Sequence, residues 1–335
     1  MTTAAVVGIG DISTIHLQAI AANDQVELVG VCDIVPERAE QAAQQWGVPA
    51  FTDHQQLLEQ ARPEVVHITL PHHLHVPVAL DVLAAGAHVL TEKPLGHTYQ
   101  SAQRLADAAR SAAPKLGVCF QNRYNPTSVA LQQALAGGEY GAVLGARAAV
   151  WWDRDQAYYQ RAPWRGRWDQ GGGGVLINQT IHTIDLLCWL LGAPERVAGS
   201  AASLHRQPPV EVEDAATVLM HHPGGVRSTF FATNNHIGNA PVELELTCER
   251  GVLRFADGEL RAVAPDGSAT LLAADVQATG ARSYWGKSHQ LLVDDFYRRL
   301  GDPEPFWIDA DAALVSLGVL RTVYVQSGLV PEGDR

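Results

Sequence analysis

Short apolar runs alternate with amphipathic stretches over the first 120 residues. Ala4–Ile9, Val26–Cys32, Val65–Leu70, His88–Thr91 and Lys115–Phe120 read as buried strands. Between them Thr14–Ala22, Val76–Ala85 (closed by Gly86) and Ser101–Ala112 carry helical spacing. Such alternation predicts an open parallel sheet with helices on both faces, whose ligands sit beyond the carboxyl ends of the strands. From Val143 the pattern changes. Ala146–Trp152, Arg196–Leu204, Ala215–His221, Val226–Thr233 and Val242–Thr247 alternate with turn signals such as Pro223-Gly-Gly225 and Asp257-Gly258, which predicts a mostly antiparallel sheet. Ser283–Leu300 reads as a loop and a helix, Asp302-Pro303-Glu304-Pro305 as a break, and Asp309–Ser327 as a last helix lying near the first domain. The expectation is an α/β domain over residues 1–122 and an α+β domain over residues 123–335, with no internal repeat.

Composition agrees with this division. A chain of 335 residues exceeds most single cores, and 47% hydrophobic with 18% charged residues is globular. A net charge of −12 argues against a nucleic-acid partner. No uninterrupted apolar run reaches membrane-spanning length, and MTTAAVVGIG lacks the basic region and cleavage site of an export signal. A cytoplasmic protein without a membrane partner is expected. Cys32, Cys119, Cys188 and Cys248 are far apart in apolar surroundings, which suits reduced thiols.

The first strand ends in Gly8-Ile-Gly10-Asp11-Ile12-Ser13, a helix follows, and the second strand closes on Asp33. Strand, glycine turn, helix, strand and acid in this order describe a dinucleotide-binding unit. Gly8 permits the tight turn, Gly10 lets backbone approach the pyrophosphate, and the helix N-terminus offers free N–H groups to that anion. Asp33 would accept from ribose hydroxyls and repel a 2′-phosphate, which favours NAD over NADP. Arg38 lies five positions on and is a further cofactor candidate. At the ligand edge of the sheet stand Thr69-Leu70-Pro71, Glu92-Lys93-Pro94 and Gln121-Asn122-Arg123. His72, His73 and His75 begin a turn after a strand and are read as lining the cofactor groove; no metal is expected.

Hydride transfer from a secondary alcohol needs a fixed nicotinamide, a proton acceptor and donors that hold the substrate. Lys93 at a strand end is one acceptor by residue type. The run Gly171–Gly174 precedes Asn178, His182 and Asp185, which at α-helical spacing share a face. The glycines read as a backbone platform for close approach, His182 as an acid/base and Asp185 as its orienting group or a cap. Residues Val150–Gln170 hold four Trp, two Tyr and four Arg, suited to sugar rings and anions. Tyr284 and His289 border the site in this reading.

These features resemble the Gfo/Idh/MocA family (glucose–fructose oxidoreductase, inositol dehydrogenase, rhizopine catabolism) over nearly the whole chain. The motifs are the glycine turn, Thr69-Leu70-Pro71 with His75, Ala85-Gly86 through Glu92-Lys93-Pro94, and Gly172–Gly174 through His182 and Asp185. The resemblance implies an N-terminal Rossmann domain and a C-terminal α+β domain. The large, mostly antiparallel, open-faced sheet of the latter covers the nicotinamide and forms a homodimer or homotetramer. It implies NAD held by Gly8, Gly10, Asp11, Ile12, Asp33, Arg38, Thr69, Leu70, His75, Glu92, Lys93, Asn122, Trp164 and Arg165. It implies Lys93 and His182 at the reacting alcohol, and substrate contacts from Asn178, Arg123, Tyr159 and Tyr284. Either Lys93 or His182 can take the proton; the preferred assignment is His182 as acid/base with Lys93 polarising the same oxygen. Asn178 stands where the family usually has Asp. With Gln179 and the segment Trp151–Gly166 it resembles the subgroup oxidising hexoses or nucleotide sugars at C3. An inositol or anhydro-sugar dehydrogenase and a non-catalytic NAD-dependent sensor are the alternatives.

Overall fold

The computed structural model describes residues 1–204, 209–275 and 287–330. The chain forms two units, one of Met1–Gln121 with Ser288–Leu314, the other of Asn122–Lys287 with Val315–Arg335.

The first unit is built on a six-stranded parallel sheet. Its strands are β1 (Thr2–Val7), β2 (Val26–Cys32), β3 (Ala50–Phe51), β4 (Val65–Ile68), β5 (His88–Thr91) and β6 (Leu116–Val118), in the order β3-β2-β1-β4-β5-β6. The chain leaves β1 toward one edge and returns through β4 to the other, so the order reverses beside β1, where such sheets hold ligands. Ala4, Ala5, Val6, Val65, Val66 and Ile68 are wholly buried, as a sheet covered on both faces requires.

Reading the second domain as continuous from residue 123 placed Ser288–Leu314 there; the segment instead packs with the first unit. Asn23 Nδ2 donates to Asp294 at 2.9 Å, Gln290 Nε2 to the Ala19 carbonyl at 3.2 Å, and Val118 N to the Ile308 carbonyl at 2.9 Å. Phe296 and Phe306 lie edge to face at 5.2 Å, both within 3 Å of where a Cβ on Gly117 would stand. Burial of those two rings was invisible to local pattern because Gly117 and Phe296 are far apart in sequence. The helix Ala310–Gln326 starts in this unit, where Asp311 pairs with Arg110, and its later turns belong to the second.

The second unit holds an eight-stranded sheet. Its strands are β7 (Val143–Trp151), β8 (Arg196–Ala202), β9 (Ala215–His221), β10 (Arg227–Thr233), β11 (Glu243–Cys248), β12 (Gly251–Ala256), β13 (Glu259–Val263) and β14 (Ala269–Ala274), in the order β14-β13-β12-β11-β7-β10-β9-β8. Every pairing is antiparallel except β7 with β10. The stretch Trp168–Leu191, though interrupted by polar residues, is by length and composition apolar enough to cross a membrane. Yet 72% of its apolar window is buried inside the protein, which makes it a core element.

Candidate active site

In the first unit the glycine turn is dictated by contact. Gly8 has φ +96°, and a Cβ there would stand 2.8 Å from the Thr69 carbonyl oxygen. The Thr69 hydroxyl donates to the Gly8 carbonyl at 2.5 Å. Gly10 is different: no atom lies within 4 Å of where its Cβ would be, so its surface is open. The following helix Ser13–Ala21 begins at Ile12 without a side-chain cap, while Asp11 is exposed. Its first N–H groups and positive dipole end suit an anion. Asp33 is fixed by two amides, Ile9 N to Oδ2 at 2.7 Å and Val35 N to Oδ1 at 2.9 Å. Each oxygen retains a lone pair for a hydroxyl donor. Arg38 is exposed and lines a recess with Ile9, Gly10, Gln45 and Trp46. Sequence reading passed over Ile34, an 85% exposed apolar side chain next to Asp33; its signal was a large aliphatic at a strand end.

Glu92 and His75, both expected at the cofactor, are buried. Glu92 is 6% exposed. Its Oε1 meets His16 Nε2 at 3.1 Å and His289 Nε2 at 3.4 Å, and its Oε2 accepts from Lys93 N at 3.3 Å. His16 Nδ1 meets His67 Nδ1, and His67 Nε2 meets the Tyr297 hydroxyl, both at 2.8 Å. Burial raises the Glu92 pKa, but the hydrogen bonds and charge of His16 and His289 hold it well below the usual carboxylate range. Burial, then the neighbouring His16, pushes His67 down. The network anchors the turn carrying Lys93 from beneath. Among the described residues, donor atoms of His16, Glu92 and Cys119 are the group that converges, within 4.8 Å of one another; His72, His73 and His75 do not. His75 is wholly buried, with Nδ1 2.7 Å from the Pro94 carbonyl and Nε2 2.8 Å from the Leu70 carbonyl. Two acceptors favour two N–H donors, while burial pushes the imidazole toward its neutral form. In either state its ring braces the two loops. Lys93 and Leu70 are half-buried.

In the second unit Asn178 and His182 do not follow α-helical spacing. Residues Val175–Thr180 form a π-helical turn that runs into the helix Ile181–Leu191. Such turns arise where an extra residue is accommodated, often at functional sites. Half-buried Asn178 donates to the Tyr158 hydroxyl at 3.2 Å, and Gln179 donates to it at 2.9 Å. The Tyr158 ring carries the Arg154 guanidinium at 5.3 Å and that of Arg165 at 4.6 Å; these also lie over Trp152 and Trp164. Tyr159 was the tyrosine of the pair expected at the substrate. Tyr159 is 4% exposed and packs with Val210 and Val212, whereas Tyr158 is the side chain joined to Asn178.

Arg123, expected to bind substrate, and Asp185, expected to orient His182 or cap a neighbouring element, bind each other, Nε to Oδ2 at 2.8 Å and Nη2 to Oδ1 at 2.6 Å, with side chains 6% and 2% exposed. Burial pushes the Asp185 carboxyl up, against the pull of Arg123. His182 is half-buried in the first turn of its helix, and Asn122 is half-buried in the short helix Gln121–Tyr124. His289 is 2% exposed within the Glu92 network. Tyr284 lies outside the described residues.

The glycine run also has a reason the sequence did not supply. A Cβ on Gly174 would be 2.0 Å from the Glu213 carbonyl oxygen, and one on Gly173, at φ +142°, would be 2.2 Å from the Tyr324 hydroxyl. These glycines admit protein atoms, which corrects their reading as a platform for ligand.

Residues 2–120 match the profile of an oxidoreductase family with an NAD-binding Rossmann fold, and residues 128–254 match the GFO/IDH/MocA C-terminal domain. The chain is similar to trans-1,2-dihydrobenzene-1,2-diol dehydrogenase of Mus musculus, 31% identical over 66% of this chain; the match spans 63% of that protein, less than two thirds of its length. It is 28% identical to D-glucoside 3-dehydrogenase of Escherichia coli K12, over 60% of this chain and 57% of that one. The solved WlbA dehydrogenase of Bordetella pertussis, in complex with NADH and UDP-GlcNAcA, superposes with a TM-score of 0.84 at 31% identity, covering 97% of this chain and 96% of that one.

Proposed function

The chain belongs to the Gfo/Idh/MocA oxidoreductases, and from that membership we propose that it oxidises a ring secondary alcohol, at C3, of an anionic hexose or nucleotide sugar with NAD. The observation that carries this reading is the Tyr158 hub, where the π-turn amides of Asn178 and Gln179 meet an aromatic ladder bearing Arg154 and Arg165. Flat aromatic faces suit a pyranose ring, and guanidinium groups suit a carboxylate or diphosphate. The relatives that act on a glucoside at C3 and bind UDP-GlcNAcA support the same class.

NAD supplies the hydride acceptor when bound. Open Gly10, the uncapped helix start and Asp33 fit its pyrophosphate and ribose, and exposed Ile34 offers an apolar surface for adenine. With the cofactor bound, His182 would take the hydroxyl proton of the alcohol, and Lys93 would polarise that oxygen. Asn178, lacking a carboxylate, holds a substrate hydroxyl without titrating. Cytoplasmic location and self-association as a homodimer or homotetramer belong to the same proposal. The Trp151–Phe231 pair on β7 and β10, with rings 4.5 Å apart and Trp151 40% exposed, supports an apolar contact face.

The test is NADH absorbance with nucleotide sugars, uronates, free hexoses and inositols, run with NAD and NADP. Turnover of an anionic sugar with NAD is expected. Uniform preference for NADP would refute the role of Asp33, and silence across the panel would favour a sensor. Lys93→Ala and His182→Ala should each lower turnover by at least about a hundredfold with little change in NAD affinity. Near-normal turnover in either variant would sink the mechanism.

A further inference from the structure

Glu213 is 1% exposed, and no feature of its sequence neighbourhood marked it. Its Oε2 accepts from Gly174 N at 2.7 Å, and its Oε1 accepts from Leu176 N at 3.0 Å and from the Tyr324 hydroxyl at 2.9 Å. Its own carbonyl accepts from Val175 N at 3.0 Å. The amides that open a helical segment have no partner within it. Here one remote residue takes three of them in succession, at the head of the π-turn that carries Asn178 and leads into His182. Collision distances at Gly173 and Gly174 show how closely Tyr324 and Glu213 press on that backbone.

We propose that Glu213, steadied by Tyr324, is a positioning residue that fixes Asn178 and His182 through the backbone of residues 174–176. This rests on the reading that Asn178 and His182 face the substrate.

Three donors point at the carboxylate, which favours the anion. Burial opposes them and pushes the Glu213 carboxyl up to about 7. Tyr324 is the titratable group packed against it; burial, then Glu213 itself, pushes that phenol well above its ordinary value, so it stays a donor. Gly171–Ile177 bring no titratable side chain, Trp168 meets the Tyr324 ring edge-on at 5.2 Å, and Asp214 turns its Oδ1 to Leu204 N. Loosening that hydrates the carboxyl returns it toward its ordinary 4.5, so the held segment binds the proton more tightly than the loosened one. The hold is therefore firmest on the acid side and weakens as the pH rises through about 7.

The experiment is hydrogen–deuterium exchange of the 172–182 segment in the full chain without substrate, from about pH 5.5 to about 8.5, corrected for intrinsic exchange. Protection of the Gly174–Leu176 amides should fall by about tenfold as the pH rises through a midpoint near neutrality in the native protein and lose that midpoint in Glu213→Gln. Tyr324→Phe removes a hydrogen bond to the anion, so its midpoint should move up. This variant decides the matter if Glu213→Gln does not fold. In parallel, kcat for any sugar turned over should fall by about tenfold or more in Glu213→Gln, with NADH affinity unchanged. Flat protection in the native protein, or an unmoved midpoint in both variants, overturns the proposal. So does a loosened segment with normal kcat. Exchange needs no substrate, so failure to find a sugar would count against the catalytic reading and leave the exchange result to decide the clamp.

Discussion

Gly174→Ala is expected to abolish folding of the second unit. The added carbon would stand 2.0 Å from the Glu213 carbonyl oxygen, 2.9 Å from Val212 Cγ2 and 3.1 Å from the Glu213 carbonyl carbon. Two of these are main-chain atoms, which cannot rotate aside, and the Glu213 carbonyl is itself bonded to Val175 N. Relief requires moving the strand approach or the π-turn, which breaks the hydrogen bonds of Glu213. A loss above about 4 kcal/mol follows, in the range reserved for severe core lesions. Against a total stability of about 5–15 kcal/mol this leaves little folded protein near physiological temperature. Gly10→Ala is the matched control. Nothing lies within 4 Å of its Cβ position, so its stability should change by no more than about 1 kcal/mol, while NAD binding weakens as the methyl group enters the pyrophosphate space. Thermal denaturation with NADH-binding fluorescence on both variants separates the two kinds of glycine. A Gly174→Ala protein melting near the native temperature would contradict the packing argument.

The second large effect belongs to the buried ion pair. Asp185→Ala leaves the Arg123 guanidinium in the core without its carboxylate, and breaking such a pair costs about 3–5 kcal/mol. The Trp189 ring at 5.7 Å gives only partial compensation. Replacing both partners, Arg123→Met with Asp185→Leu, should recover most of the loss, because desolvation of two charges opposes the pair's own attraction. Denaturant midpoints of the single and double variants decide this. A cost below about 1 kcal/mol for Asp185→Ala would mean that water reaches the site. The pair also separates structure from chemistry on one helix: Asp185 holds Arg123, and His182, one turn earlier and half-buried, remains the group suited to proton transfer.

Local pattern was informative where the physics is local. Apolar runs gave the strands of the parallel sheet because a strand covered on both faces is apolar throughout. The turn from Gly8 to Ser13 and the acid at Asp33 were legible for the same reason: phosphate and ribose recognition fixes their spacing along one stretch of chain. β3 and β12–β14 escaped detection, being short or turned by single dipeptides. The α-spacing expected of Asn178 and His182 failed because the register there is set by Glu213 and Tyr324.

By itself the sequence determined the fold class, the family and the two groups proposed for proton handling, since each is written in contiguous motifs. Only the tertiary structure decided which carboxylates are buried scaffolding, which of Tyr158 and Tyr159 joins Asn178, and why residues 173 and 174 are glycine. Those answers depend on side chains brought together across 20 positions for Tyr158 with Asn178 and 111 for Glu213 with Tyr324, and local periodicity carries no record of such partners.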